Sequence, residues 1–515
     1  MFFCGFSRLT VVPDMAFNLR TSRADRKREK SPLLPSYDNR AYKTVRNTST
    51  PGRSSTAGSP MGSSTCGEFN ILLDRRLDQL QVFPTPSPIA FISVKNISIF
   101  GDLSPNIVKL RGNKAGKSNV DRQSWQSGLS GVALGATLKR WYNFDDIRFF
   151  DRNAGSGGTW WANGYPGCAC DIPSALYSFS FHLNPNWTQT MPPSEEIKAY
   201  NESVLEKYSL GEKMVFSTEV THCEWNEETS LWTMHLQNLQ TGEKYTHKCQ
   251  ILFNAGGLLS VPRKCDIPGS EKFNGHIFHS AQWDAFVSLK DKNVIVIGNG
   301  CTGAQIVPAI LPERRIFDVG GYLKSLNAEN ITLTDEKPLE ILPDGIRTKN
   351  GVIKADVIVL ATGFETKFLH SMDVIGRDGQ SVRERWDKYP GPTAYNSSVL
   401  SGFPNFFMLL GPNSATGYTS ALIASENTIN YALRILKPIL TGKATSVDIK
   451  QQAEKSYADK VQAALKETVF NAGGCQSWYI QKSKWNATIY PWSQAYFWYR
   501  SLFPTWSDWN IELIQ

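Results

Sequence analysis

One stretch constrains this chain more than any other: NVIVIGNGCTGAQIVPAI, residues 293–310. Val294 to Ile297 form an uninterrupted apolar run, the pattern of a parallel strand buried on both faces. The run leads straight into Gly298-x-Gly300-x-x-Gly303 and then into a helical segment. Each glycine has a physical task. Gly298 permits the tight turn, Gly300 lets a pyrophosphate approach the backbone, and Gly303 lets helix and sheet pack closely. The helix N-terminus supplies unpaired N–H groups and the positive end of a dipole. The unit is predicted to hold a dinucleotide through Gly298, Asn299, Gly300, Cys301, Thr302, Gly303 and Ala304. A strand–turn–helix unit of this kind places the chain in the α/β class with parallel sheets.

A second unit of the same kind is recognisable in its rear half only. Residues 124–135 read SWQSGLSGVALG, so Gly128 and Gly131 match the second and third glycines, and SGVALGATLKRW continues as a helix. The following strand, IRFFD, ends in Asp151, where an acidic residue about 20 positions after the turn would hold a ribose hydroxyl. The front half does not fit. Gln126 stands at the first glycine position, and SNVDRQSWQ is too polar for a strand buried on both faces. Another segment, such as AFISVKNISIF (90–100), is the alternative occupant of the strand position.

Between and beyond these units, strands alternate with helices. A helix is expected near 193–208, strands at MVFSTEVTHCEW, LWTMHLQNL and QILFN, a strand at DVIVL before ATGF, and a long helix near 419–441. The expected fold is α/β with two dinucleotide-binding (Rossmann-like) domains. The expected domains are a first part of one domain over 66–190 (66–126 atypical), a second domain inserted over 191–365, and a return to the first over 366–515. The net charge of +8 belongs to one end: residues 1–65 carry eleven Lys or Arg against four Asp or Glu, leaving 44 against 43 elsewhere. That Ser/Thr/Pro-rich leader is expected to be disordered. A nucleic-acid patch at RADRKREK is the alternative, and a solvated tail is the plainer account. No run reaches the roughly 18–20 apolar residues that span a bilayer. Nine cysteines without metal-ligand spacing suggest a reducing compartment, the cytoplasm, and no metal site. Cys168-Ala-Cys170 as a redox pair is a minor alternative.

Residues 155–181, GSGGTWWANGYPGCACDIPSALYSFSF, carry a resemblance. Gly157-Gly-Thr-Trp160, Tyr165-Pro-Gly167 and Asp171-Ile-Pro-Ser174 with Tyr177 resemble the flavin-containing Baeyer–Villiger monooxygenases, particularly fungal members of secondary metabolism. That family's fingerprint, Phe-x-Gly-x-x-x-His-x-x-x-Trp-Asp, stands complete at Phe273 to Asp284. Its linker motifs are similar to Asn254-Ala-Gly-Gly257, Ala361-Thr-Gly-Phe364 and Gly411 to Gly417. The resemblance spans roughly 128–515.

The resemblance implies FAD in the first unit, NADPH in the second, and insertion of one oxygen of O2 into a ketone to give an ester or lactone. Asp151, Thr159, Trp160, Trp161, Ala162, Asp171 and Tyr177, with Gly128 and Gly131, would contact FAD. Ala169, Cys170 and Asp171 would lie beside the nicotinamide nucleotide. His279 and Trp283 would couple the domains structurally. Arg314 takes the position of the catalytic arginine, with Asp171 to orient it. A permanent cation there would stabilise the oxyanion formed on addition. Trp478 is the candidate for a tryptophan that closes on the cofactor.

The chain departs from the family at three points. Glu313 replaces a lysine. The segment carrying the second strand of the NADPH unit and its 2′-phosphate clamp is missing after Ile310, so either RRIFDV takes that strand's place or the sheet is gapped. Tyr418 stands where histidine is usual. The seams before Ser127 and after Ile310 read as splice or gene-model defects in a sequence derived from an active enzyme, and resequencing the transcript checks this. Two other functions are weighed against the enzyme: a catalytically impaired remnant that retains a nucleotide site, and a sister flavin monooxygenase acting on nitrogen or sulfur.

Overall fold

The central parallel sheet is assembled from segments far apart in the sequence. Its order is β15 (Phe406–Met408), β7 (Ile251–Asn254), β1 (Ile97–Gly101), β2 (Ile147–Asp151) and β3 (Met214–Val215), with every pairing parallel. The structure, a computed structural model, describes residues 97–101, 128–311 and 321–514, except positions 260, 367, 370, 371, 418, 473–478 and 482. The basic leader expected over 1–65 therefore lies outside the described residues, as do Arg314, Tyr418 and Trp478. The sheet decides the question that the sequence left open at its front. The strand beside IRFFD is ISIFG, from within the apolar candidate segment, and not the polar SNVDRQSWQ.

Helix α1 (Leu129–Tyr142) is buried at every residue from Leu129 to Leu138. It packs against α3 (Ser194–Lys207) and the helix Ala421–Ile435, and the Ser130 and Ser425 hydroxyls meet at 2.8 Å. A helix enclosed this way must be apolar nearly all round, which VALGATL supplies. β7 and β15 are buried throughout, with Phe253 of β7 stacked on Phe407 of β15 at 5.6 Å between ring centroids. Beside this sheet stands a second, ordered β14 (Asp373–Ile375), β4 (Thr218–Asn226), β5 (Leu231–Asn238), β6 (Lys244–Cys249), antiparallel from β4 to β6. Trp232 of β5 is fully buried and donates its indole N–H to the Pro404 carbonyl at 2.8 Å.

The third sheet is parallel: β8 (His276–His279), β13 (Val357–Leu360) and β9 (Val294–Ile297), with β13 in the middle. β13 is buried along its length, as its VIVL sequence requires. β9 is not. The same composition, VIVI, is only half buried, which corrects the expectation of a strand enclosed on both faces. The reason is positional: β9 is an edge strand, and among the described residues none pairs its outer side. A hairpin meander, β10 (Glu340–Leu342), β11 (Gly345–Thr348) and β12 (Gly351–Lys354), precedes β13. The sheets also show that β7, within the 191–365 stretch, pairs with β1.

Phe253→Ala should cost about 3–5 kcal/mol, because it removes a fully enclosed ring from the centre of the sheet. A fall in the urea midpoint with an unchanged slope checks it.

Candidate dinucleotide-binding site

In open parallel sheets, ligands gather beyond the carboxyl ends of the strands, and the site is built there. β2 ends at Asp151, which is 2% exposed. Its Oδ1 accepts the Asn153 backbone N–H at 2.9 Å, whereas Oδ2 has no partner among the described residues. Burial pushes this carboxyl up to about 7, against the pull of the neighbouring Asn153. The Asn153 amide nitrogen is likewise buried without an acceptor. Two orphaned polar groups at a strand end are costly unless a ligand answers them. A ribose, which both donates and accepts, fits them.

Gly128 caps α1 with no side chain over the helix N-terminus, and the first turn carries no acidic residue. Its free N–H groups suit a phosphate. A side chain at Gly158 would come within 2.8 Å of the Gly128 Cα, so the GGTW loop lies directly against the start of α1. That loop opens α2 (Thr159–Ala162), whose Trp160 and Ala162 are buried while Trp161 is part-exposed. Trp160 donates its indole N–H to the Tyr177 hydroxyl at 3.0 Å, with the rings edge-to-face at 5.8 Å. Burial holds Tyr177 far above the usual phenol range, so it stays protonated.

The second turn follows the same logic on β9. Gly298 sits at φ +120°, and a Cβ there would strike the Ala361 carbonyl, so no other residue fits. A Cβ at Gly300 would meet no protein atom within 4 Å. Among the described residues nothing occupies that space, which leaves the backbone of the turn open to approach. Helix α4 (Cys301–Ile310) follows, with Cys301 exposed, Thr302 and Ala304 half-buried and Gly303 buried. Asn299 receives the hydroxyl of Tyr322.

One residue absent from the sequence reading joins the helix of the second turn to the loop 165–170. Gln305 of α4 is 3% exposed. It accepts the Tyr165 hydroxyl at 2.8 Å and donates to the Ala169 carbonyl at 2.9 Å. Gly167, at φ +80°, abuts the Gln305 carbonyl, where a Cβ would approach to 2.6 Å. The loop 165–170 is thereby fastened to the helix of the second turn. The available signal was a polar residue in an otherwise apolar helix, AQIVPAI. Ala169 is half-buried and Cys170 buried, while Asp171 is exposed. Partial enclosure by surrounding protein raises the Cys301 thiol, and the nearby charge of Asp171 adds to it. Asp171 therefore lies near the start of α4. Burial raises Cys168 to about 11 and Cys170 to about 12; both are free thiols.

The fingerprint braces this arrangement. His279 is 3% exposed, its Nδ1 accepts the Ala281 N–H at 3.1 Å, and its Nε2 donates to the Gly363 carbonyl at 3.0 Å. Burial lowers its proton affinity, leaving it neutral. It thus ties β8 to the Ala361–Phe364 loop on which Gly298 rests. Trp283 packs edge-on against Phe278 at 5.1 Å.

Comparison with known proteins agrees with this geometry. A Baeyer–Villiger monooxygenase of Pseudomonas aeruginosa is 32% identical over 462 residues, covering 71% of this chain and 86% of its own length. The chain belongs to the Baeyer–Villiger monooxygenase family. An FAD-binding monooxygenase of Aspergillus terreus, tazF, is 28% identical over 72% of this chain and 85% of its own length. Residues 176–340 also match the L-lysine 6-monooxygenase/L-ornithine 5-monooxygenase family model. The solved structure of an oxidized steroid monooxygenase bound to NADP superposes with a TM-score of 0.66 at 21% identity, covering 75% of this chain and 98% of that one. The two-dinucleotide α/β fold expected from sequence is the fold of this family. No metal-holding cluster and no helix long and apolar enough to cross a membrane occur among the described residues.

Asp151 supplies a pH test. Its carboxyl titrates near 7 in the folded chain against 3.8 ordinarily, so at pH 6 it is mostly protonated. Its contribution to folding stability is fully present below pH 4 and fades as pH rises towards 7. A hydroxyl donated to Oδ2 would favour the carboxylate, so binding of FAD at pH 6 should release protons. Calorimetry in buffers of different ionisation enthalpy reads this directly, and Asp151→Asn should abolish the release.

Proposed function

We propose that this chain holds FAD at the Gly128 turn and NADPH at the Gly298 turn, and inserts oxygen into a ketone to give an ester or lactone. The observation that carries the reading is the fastening of the 165–170 loop, which follows the GGTW turn, to the helix of the Gly298 turn by Gln305. That contact supports a reading in which the loop lies beside a nucleotide bound at the second turn. Bound FAD would supply the redox chemistry, taking hydride from NADPH and delivering one oxygen of O2. The rest falls to the chain. Asp151 and Asn153 would grip the ribose, the N-terminus of α1 the pyrophosphate, and Thr159, Trp160, Trp161, Ala162 and Tyr177 the remainder of FAD. Ala169 and Cys170 would border the nicotinamide. Asp171, exposed beside the start of α4, would orient Arg314, the cation that steadies negative charge on the substrate oxygen. In this reading the second domain comprises the sheet β8–β13–β9 with its meander, inserted into the FAD domain. The identity with a fungal FAD-binding monooxygenase supports a place in secondary metabolism.

A second reading, an impaired remnant, draws on the half-buried β9, whose outer edge no described strand covers. The match to the lysine and ornithine monooxygenase model keeps nitrogen oxidation as a further outcome. The absorption spectrum of the purified protein and ketone-dependent NADPH oxidation separate these readings. Yellow protein that yields an ester supports the enzyme, a hydroxylated amine redirects it, and colourless, inactive protein leaves the remnant.

Two variants probe the roles. Arg314→Ala should lower ester formation roughly 100- to 1000-fold, the cost of about 2.7–4 kcal/mol of oxyanion stabilisation, while NADPH still reduces the flavin. Gln305→Ala should slow flavin reduction about tenfold in stopped-flow measurements, with the flavin spectrum unchanged, because the bracket loosens and the contact residues stay.

A further inference from the structure

The place of β1 in the sheet gives residues 102–126 a meaning that neither the motifs nor the fold supplies alone. β1 is paired on both sides, by β2 and by β7, and its last residue, Gly101, stands in register with Asp151. Gly101 is therefore at the carboxyl end of the strand next to the ribose-type acid, where the first glycine of a dinucleotide turn belongs. α1 is capped by Gly128 and packs against β1. Strand and helix thus have the spatial relation of one unit, yet 25 residues, 102–126, separate Gly101 from Ser127. Connections between strand and helix in such units ordinarily take about 2–6 residues.

Removing those 25 residues joins ISIFG to SGLSG. The junction reads Gly101-Ser127-Gly128-Leu-Ser-Gly131, a complete Gly-x-Gly-x-x-Gly with its strand before it, its helix after it, and Asp151 twenty residues beyond Gly131. The frame, the first glycine and the single spacer residue all fit the fingerprint. The inserted stretch, DLSPNIVKLRGNKAGKSNVDRQSWQ, holds five Lys or Arg against two Asp and alternates in no strand or helix period.

We infer that residues 102–126 interrupt the sequence of a single phosphate-binding turn whose described halves are Gly101 and Gly128–Gly131, and that the chain without them binds its flavin dinucleotide markedly tighter. The inference rests on the reading of this site as the FAD site. The physical basis is the turn itself. In the joined form one residue separates Gly101 from Gly128, so the peptide N–H groups of the turn and the start of α1 point at one pyrophosphate. With 26 residues between those glycines, their relative position is no longer set by the local chain.

The test compares the full chain with a variant lacking 102–126, titrating each apoprotein with FAD and, separately, with NAD+, followed by flavin fluorescence and calorimetry. The expected result is at least a tenfold lower Kd for FAD in the shortened chain, lost again on Gly101→Val in that background. A control lacking 102–127, which puts Gly101 directly against Gly128, should not show the gain. NADPH binding at the Gly298 turn and the far-UV spectrum report that each variant is folded. If full and shortened chains bind FAD equally, the flavin reading stands and the interruption is refuted. If the shortened chain gains affinity for NAD+ and not for FAD, the interruption stands and the flavin reading falls. Should a folded shortened chain gain affinity for neither, the interruption is refuted as well.

Discussion

The fastening of the 165–170 loop to α4 is the constraint on which the rest depends. A loop on one side of a candidate site and a helix on the other move independently until something fixes them together. Gln305 does so for the 165–170 loop and α4, from inside a helix that otherwise buries only apolar surface, with both ends of its amide engaged. A buried amide satisfied at both ends is geometrically exacting in a way that apolar contact is not. The close approach of Gly167 to the Gln305 carbonyl adds a second, steric fixing at the same place. The chemistry of the family, passing reducing equivalents from one nucleotide to another, needs such a fixed separation.

Around that bracket the polar groups divide into two kinds. Some are satisfied and structural: His279 between Ala281 and Gly363, Trp160 with Tyr177. Others are buried and unanswered: Asp151 Oδ2 and the Asn153 amide nitrogen at the end of β2. The first kind fixes the shape of the walls, and the second leaves hydrogen-bonding capacity open at the end of β2 among the described residues. The raised carboxyl of Asp151 is the electrostatic face of the same fact, a charge taken out of water with only one partner to receive it.

Much of this was legible in the residues. The strand IRFFD, the helix after Gly128, the strand VIVL before ATGF and the Gly298 turn occur where periodicity and glycine spacing put them, because local backbone geometry alone dictates those patterns. The apolar segment containing ISIFG was recognisable as strand material, but its partners were not. Parallel pairing joins residues 97, 147 and 251 through crossovers, and no local signal records which strand lies beside which. The burial of β9 was misread for a related reason. VIVI has the composition of an enclosed strand, and whether a strand is enclosed depends on neighbours contributed from elsewhere in the chain. Gln305 escaped notice because its role exists only across a contact between residues 136 positions apart.

The sequence by itself determined the chemistry on offer: two glycine-marked turns, an acid at the end of the strand after the first, an aromatic loop between them, and the fingerprint of a monooxygenase family. Those are local matters, written in residue type and spacing. The tertiary structure alone decided which strand lies beside IRFFD, which edge lies open in the sheet of the Gly298 turn, and how the 165–170 loop is held against α4. These depend on packing between distant segments, where burial and hydrogen-bond satisfaction are settled jointly and not residue by residue.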